Sequence, residues 1–589
     1  MNTRYLKLDT RNTRLLIRNS TSTSDERRAT SNGFVLPLVL VAVVILMALI
    51  VGATMTDYHA RLRAVNLKSQ TEAMLAAEAG YERAIFWMSQ QSDILTAIQN
   101  GSDNGSIDFG SATCSYSVDF HGFMGTKPVF RIVSTGVSGR PSFTRNVNVD
   151  VIQETCGWAM GSCTVPQGTS IASEVPVYFK NGEIINTPIH INKQSDSPDI
   201  ADIFITGSPT FLQKVEMGED RKTSGGSDKY SSVMSLFHSG ITFDQPNVRI
   251  TDTTAVQNKV TRFQNSTLAT YQFTPNITGL PATPPFDSTH SSYKSSAVQL
   301  EFFVSGGIGY VRITNNCAVR LADQGANDYN IVTGSSPMSF HQYKIYGYHY
   351  RPNGTANQTT VPITSTYVSQ TFGGYTSDPG GQIYVNGNVI IGGDSNSSAD
   401  PNQVVKGKIT VVATGNIWIG DNIVVDGTHT TDGNNMPTTA NPNVLGLIAQ
   451  GVIKLVDPGQ SPSSPTAVAG YTYQPIGILK TGYSGRYLFD PTVVEAALTI
   501  GGGGWGAENV DSSGGRRMYS TPSDTLYVHG SITEVIRGIV NIGDPITNGY
   551  TKNYYIDTRL MSGILPGDIW LSGKYFPAPA GWYDDQIAN

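Results

Sequence analysis

Charge is scarce in this chain. Asp, Glu, Lys and Arg make up 15% of 589 residues, against about 25% in an ordinary soluble domain. The net charge is −6, and no cluster of Lys and Arg occurs beyond the first thirty-odd residues. Nucleic-acid binding needs such clusters to neutralise phosphates, so it is not indicated. The nine histidines are scattered, as His59, His121, His190, His238, His290, His341, His349, His429 and His529. No HExxH, HxH or facial His/carboxylate spacing is present, so no metal is expected. His341 and His349, the nearest pair, flank a Tyr-rich strand and read as packing residues. There is no GxxxxGK[ST] and no GxSxG, which removes the P-loop ATPases and the elbow hydrolases. Gly501-Gly-Gly-Gly-Trp-Gly lacks the strand–helix frame of a dinucleotide site and reads as a loop.

Cysteine is as sparse. Cys114, Cys156, Cys163 and Cys317 are the only four, with no CxxC pair to suggest zinc. Two bridges are possible in three connectivities. Cys156 and Cys163 close a short loop over Gly-Trp-Ala-Met-Gly-Ser and are the disulfide candidates. Cys114 with Cys317 would be a remote second bridge. The expectation is a chain with no catalytic residues, no metal and no cofactor, and not an enzyme.

Against this, one stretch stands out. No charge occurs between Gly33 and Asp57, and the run from Phe34 to Met55 is apolar throughout. About 22 residues at 1.5 Å each span about 33 Å, enough to cross a bilayer. Before the run lie Arg4, Lys7, Arg11, Arg14, Arg18, Arg27 and Arg28, against Asp9, Asp25 and Glu26. Basic flanks stay cytoplasmic, which places the rest of the chain across the membrane. A cleavable signal peptide would have a shorter apolar core, of about 7–15 residues, ending at a small-x-small site. An ordinary single-span anchor remains an alternative. The helical pattern continues past the span, with Leu62, Val65, Met74, Leu75, Tyr81, Ile85 and Trp87 at roughly helical spacing. That half of the helix can pack on its own domain, or into a bundle of similar helices.

Gly33-Phe34, set after a basic leader and at the start of the apolar run, resembles a type IV prepilin cleavage site. The segment Ala76-Ala77-Glu78-Ala79-Gly80-Tyr81-Glu82-Arg83-Ala84 resembles the AEAG-type segment of PilX-type minor pilins. The resemblance implies cleavage after Gly33, methylation of Phe34 and retention of the helix in the mature chain. It implies a filament-core helix that includes Leu38, Val41, Ile45 and Leu49. It also implies prepilin peptidase, other pilins or pseudopilins, and the inner membrane as partners. Major pilins carry Glu at the fifth mature position, and here that position is Leu38. The departure points to a minor or initiating subunit. Pro37 is acceptable there, because a first-turn N–H has no helical partner to lose.

Beyond the helix the chain turns to β-structure. Asn100-Gly-Ser-Asp-Asn-Gly-Ser ends the helix. The stretches 114–120, 129–134 and 144–152 alternate with period two, which predicts an antiparallel sheet laid on the helix. The stretch 130–151 resembles the last strands of PilX-type pilins. From about residue 156 short apolar strands alternate with Gly, Asn and Pro. From Gly380 a soft repeat appears, in the units 382–392, 407–425 and 444–456, with Gly or Gly-Asn corners. Units of this kind gain by stacking, which predicts a parallel β-solenoid, β-helix-like. An antiparallel sandwich is the alternative. The segments 187–192, 528–532 and 549–560 resemble the carboxy-terminal regions of large bacterial pilin-like proteins. The aromatic and Pro-rich tail near Phe576 is expected to cap the last rung.

The expected fold class is α+β: a pilin-like N-terminal module of one long helix plus antiparallel sheet, then a mainly-β solenoid domain. The expected boundaries are a leader at 1–33, a helix at 34–99 with its span at 34–55, and a sheet at 100–155. A β domain with long polar insertions follows at 156–375, and a solenoid with its cap at 376–589. The expected function is a minor pilin or pilus-assembly component. It would be single-pass in a bacterial inner membrane with its bulk in the periplasm, and in a surface filament after assembly. Its large domain would sit at the tip for initiation or adhesion, where it could meet a surface ligand or polysaccharide. A type II secretion pseudopilin tip subunit is one alternative. Another is a membrane-anchored polysaccharide-binding or -cleaving β-helix protein. For the latter, Asp394, Asp421 and Asp426 at repeat corners are the carboxylates to consider, and Trp418 and Trp505 the rings that would stack on sugars.

Overall fold

The computed structural model describes residues 35–91, 94–124, 127–139, 142–153, 157–162, 165–166, 174–175, 177–193, 201–246, 271–277, 294–320, 322–323, 329–333, 336–340, 343–345, 347–367, 370–372, 375–377, 380–392, 402–461, 467–479, 486–501, 504–510, 524–543, 546–561 and 575–585. The chain divides into two compact units, Met1–Ser69 and Gln70–Asn589. Gly33, Phe34, Cys156, Cys163, His341 and Asp394 lie outside the described residues.

Helix α1 runs Val35–Gln90, 56 residues without a break. Its sequence is rich in Ala and Leu, both good helix formers. Pro37 falls in the first turn, where it breaks no bond. The helix stops short of the expected residue 99. A second short helix α2, Ile94–Gln99, follows, closed by Gly101 with φ +71° and its N–H on the Ile98 carbonyl.

The antiparallel sheet contains β1 (Asn104–Asp108), β2 (Ala112–Met124), β3 (Lys127–Ser138) and β4 (Phe143–Gln153). The three alternating stretches read from the sequence are β2, β3 and β4. A fifth strand, β5 (Tyr575–Asp585), pairs antiparallel with β4 and completes the order β1-β2-β3-β4-β5. The tail expected to cap the far end of the chain's repeat is therefore a strand of the first sheet. Pro577 and Pro579 fit there because β5 is an edge strand, where a missing ladder N–H costs little.

Everything between Gly157 and Ile556 is thus inserted between two adjacent strands of one sheet. This region is built on three parallel ladders. In the first, Ile383, Val411, Leu447, Leu498, Ile532, Trp158, Ile189 and Val215 occupy one register column, and all are buried. The second starts at Lys294–Ser305 and continues through Asn388–Ile391, Ile417–Ile419, Ile453–Leu455 and Trp505–Ala507. The third takes Asn402–Val405, Asn422–Val425, Thr492–Val494, Asp524–Ile536, Asn548–Ile556, Ile184–Asn186 and Thr210–Phe211. The strand Asp524–Ile536 serves the first and third ladders and turns between them at Gly530. A Cβ at Gly530 would collide with the Ala496 carbonyl. The stretch from Val493, open between helix and strand in the sequence, is strand at Thr492–Val494 and Ala497–Ile500.

Sequence order and spatial order differ in an informative way. Strands from 158–217 stack on strands from 524–556, while Tyr271–Phe273 lies at the opposite end of the first ladder. The two chain segments that enter and leave the inserted body therefore meet in its interior. The expected boundary at 375/376 is not a boundary, because one ladder contains strands from both sides of it. Successive turns are tied by bonds between residues 27 apart, such as Asn181 Oδ1 with Ser208 N and Asn186 Oδ1 with Gln213 Nε2. The Gly-Asn corners act the same way. Asn388 Oδ1 accepts from Asn416 N at 2.9 Å, and Asn416 Oδ1 accepts from Val452 N at 3.1 Å. Each corner amide thus satisfies an N–H of the next turn that would otherwise be buried unpaired.

Cys114 and Cys317 are both free thiols and both buried. The remote bridge suggested for them is not formed. Cys114 lies in the helix–sheet core beside Gly80, and Cys317 lies in the strand Ile308–Arg320 of the inserted body. Burial pushes the Cys317 thiol up to about 12, which leaves it protonated and inert.

Candidate assembly interface

The interface begins with side chains that have no cover. Leu38, Val41, Ile45 and Leu49 are 67%, 56%, 55% and 65% exposed. They recur at spacings of three, four and four, so they lie along one stripe of α1. Their neighbours are no less apolar, and α1 is long and apolar enough to cross a membrane. Covering each such side chain is worth about 1.5–3 kcal/mol. An isolated helix in water would leave that unrealised, so the surface calls for lipid or for other helices.

Polar atoms inside this segment are consumed locally. Thr54 Oγ1 donates to the Ile50 carbonyl at 2.9 Å, and Thr56 Oγ1 to the Gly52 carbonyl at 2.7 Å. A hydroxyl bonded back to its own helix is compatible with a hydrocarbon surround. The first charges after the apolar run form an i,i+4 pair, Asp57 with Arg61 at 2.9 Å. Both are exposed and the pair contributes little energy. It marks where the helix surface becomes suited to water.

In the second unit the same helix does different work. Ala77, Tyr81, Ala84 and Met88 pack against Val118, Phe130, Ile132, Val147, Val149 and Val151 of the sheet. Ala76 faces Ala112 and Cys114. The small residues of the 76–80 segment set how near the helix comes. A Cβ at Gly80 would collide with the Ser134 hydroxyl, and a Cβ at Gly136 on β3 would collide with the Ala73 carbonyl and the Ala77 nitrogen. The AEAG-like segment is thus the seat of the helix on its sheet. Tyr81 also meets Trp582 of β5 edge-on, with centroids 5.3 Å apart. Arg131 holds Asp150 by two bonds of 2.7 and 2.8 Å across β3 and β4. A long helix, bare in its first half and seated on an antiparallel sheet in its second, has the layout of a pilin-like module.

Two of the three carboxylates weighed for sugar chemistry, Asp421 and Asp426, have structural partners. Asp421 is buried and accepts from Gln403 Nε2 at 3.0 Å, and Asp426 pairs with Lys406 at 2.9 Å. Trp418 and Trp505 are core residues, so neither presents a face for a sugar to stack on. Among the described residues no group of three or more His, Cys, Asp or Glu could hold a metal ion. His349 is fully buried and packs beside Arg351; burial, then the nearby guanidinium, lowers it to about 3.

Two polar clusters had no signal in the sequence. One fills the junction where the two chain segments meet. Glu534 accepts from Trp158 Nε1, Trp505 N and Gly538 N, while Lys552 pairs with Glu183 at 3.2 Å and donates to the Tyr178 carbonyl. Burial pushes Glu534 up to about 7 against the pull of those three donors, and pushes Lys552 down to about 8 against its pairing with Glu183. Asn541 donates to Glu183 at 2.7 Å. A buried set of this kind penalises any other register of the two segments. The second cluster brings His429 and His529, a hundred residues apart, onto the two oxygens of Glu495.

No protein-family model and no curated protein matches the chain. Among solved structures the chain is similar to the competence-associated pilin ComZ from Thermus thermophilus, at 11% identity and a TM-score of 0.26. The match covers 88% of this chain and 97% of that one. At that level of similarity no residue of one chain is assigned to a position of the other.

Proposed function

We propose that this chain is a minor pilin of PilX type, inserted by helix packing into a type IV pilus-like filament. The observation that carries the reading is the division of labour along α1. Its first half offers uncovered Leu38, Val41, Ile45 and Leu49, and its second half is locked on a sheet by Gly80 and Gly136. Prepilin peptidase would cut after Gly33 and Phe34 would be methylated. Leu38, in place of the Glu of bulk subunits, favours a minor role. We infer further that the three parallel ladders are the faces of a β-solenoid carried outside the membrane. A body of that size favours a tip position, where initiation of assembly or adhesion are its uses.

The test is a charge placed in the stripe. Ile45→Asp costs about 2.5–3.5 kcal/mol at the centre of a spanning helix. The variant is expected to be absent from sheared surface filaments, while its portion beyond residue 70 keeps native protease resistance. Incorporation of Ile45→Asp at the wild-type level would overturn the reading.

A further inference from the structure

A lysine lies in the interior of the inserted body. Along the strand Asn548–Ile556, Tyr550, Lys552 and Tyr554 alternate onto the inner face, and all three are buried. The Lys552 Nζ sits over the Phe179 ring, 4.7 Å from its centroid. Ile184 stands opposite Asn553 in the parallel register, so Glu183 falls beside Lys552. Asn541 stands opposite Gly549 of the lysine's strand in an antiparallel pairing. The side chains of Lys552 and Asn541 meet on the carboxylate of Glu183. Its Oε2 lies 3.2 Å from Lys552 Nζ, and its Oε1 accepts from Asn541 Nδ2 at 2.7 Å. All three residues are buried.

A nucleophile, a proton carrier and an acyl group thus share one dry pocket. Burial pushes Lys552 down to about 8 against its pairing with Glu183. A desolvated lysine that can lose its proton near neutrality is a nucleophile. The Asn541 amide is held by its nitrogen, which also donates to the Tyr550 carbonyl at 2.6 Å. Its Oδ1 is buried and has no hydrogen-bond partner, a costly state for an acceptor. The amide is therefore gripped by the nitrogen that would have to leave, and its carbonyl is tied to nothing.

We propose that Lys552 and Asn541 condense into an internal amide bond, with Glu183 carrying the proton and ammonia as the released product. The lysine ammonium gives one proton to Glu183 through Oε2, and the amine attacks Cγ of Asn541. The Nζ–Cγ bond forms and the Cγ–Nδ2 bond breaks. A second Nζ proton passes to Nδ2 as it leaves. The ammonia then takes the proton held by Glu183 and departs as ammonium, which returns Glu183 to its starting state. The balance needs no oxidant, reductant or cofactor. The fold supplies the proximity. Glu183 comes from one of the two chain segments that meet in the body, and Lys552 and Asn541 come from the other. The bond therefore forms after the segments have met, and it closes 541–552 into a covalent ring at their junction. Lys552 titrates only until that point. The reaction proceeds whether or not α1 enters a filament.

The test is mass spectrometry of the full chain, purified in detergent, denatured and digested with trypsin. Trypsin does not cut after an acylated lysine, so the wild type is expected to yield residues 538–559 as one peptide. That peptide is expected to be lighter than its sequence by one ammonia and to give no backbone fragments between 541 and 552. Glu183→Gln, which keeps the shape of the side chain and cannot take up the proton, is expected to yield residues 538–552 as a linear peptide of full mass. The same linear peptide from the wild type would overturn the proposal, and that reading does not depend on how well the variant folds. A bond formed in full in Glu183→Gln would overturn the role given to Glu183.

Discussion

Val149 and Trp582 are partners across adjacent antiparallel strands, with the whole of the inserted β body between them in sequence. The pairing makes the helix–sheet platform a closed unit that the chain leaves after β4 and re-enters at β5. Tyr81 of the helix touches Trp582, so the last strand also braces the helix.

Removing 575–585 strips β4 of its outer partner and Tyr81 of its aromatic neighbour. Trypsin cleavage at Arg83, which needs local opening of the helix, is expected to quicken by about tenfold or more, equivalent to about 1.4 kcal/mol of lost local stability. The ladders at 381–536 are expected to keep their resistance. A cleavage rate at Arg83 unchanged from wild type would show that β5 is dispensable to the platform.

Gly136→Val places a side chain against the backbone of α1 at Ala73 and Ala77. The helix has to lift or shift, at a cost of about 1–3 kcal/mol or more. Gly52→Ala, where nothing lies within 4 Å, is expected to stabilise the helix by up to about 1 kcal/mol. Thermal melts of the two variants in detergent should move in opposite directions.

Glu534 makes stability depend on pH with a definite sign. Its carboxyl is pushed from 4.5 to about 7 by burial. Between those values the native chain retains a proton that the unfolded chain has lost. The contribution is whole below about 4.5 and is lost as pH rises through about 7, by at most about 3 kcal/mol. Lys552, pushed down to about 8, works the other way above neutrality. There the unfolded chain holds the extra proton, and stability recovers between about 8 and 10.5. Urea midpoints at pH 5 and 7.5 should show the fall in the wild type and a smaller one in Glu534→Gln. An unchanged slope in the variant would remove Glu534 as the cause.

The legible parts of this molecule are those governed by neighbours in sequence. Period-two alternation at 114–120, 129–134 and 144–152 marks β2, β3 and β4, because one face of each must meet the helix. The Gly-Asn corners at 387–388 and 415–416 mark turns, because only those residues suit both the backbone and the amide bond to the next turn. The stripe from Leu38 to Leu49 is visible as a charge-free run. What was not legible depends on distant partners. Pro577 and Pro579 argue against a strand unless β5 is known to be an edge. Nothing local says that Trp158 stacks on Ile532, or that His429 and His529 share Glu495. The mutual pairing of those segments is set by the packing of the body as a whole.

If α1 is an assembly helix released from a leader and carried into a filament, as proposed, the amino terminus of the mature chain records it. Mass spectrometry of the amino terminus of this chain, recovered from sheared surface filaments, tests it most directly. The predicted result is a peptide beginning at N-methylated Phe34. A chain beginning at Met1, or one absent from the filaments while abundant in the membrane, would contradict it.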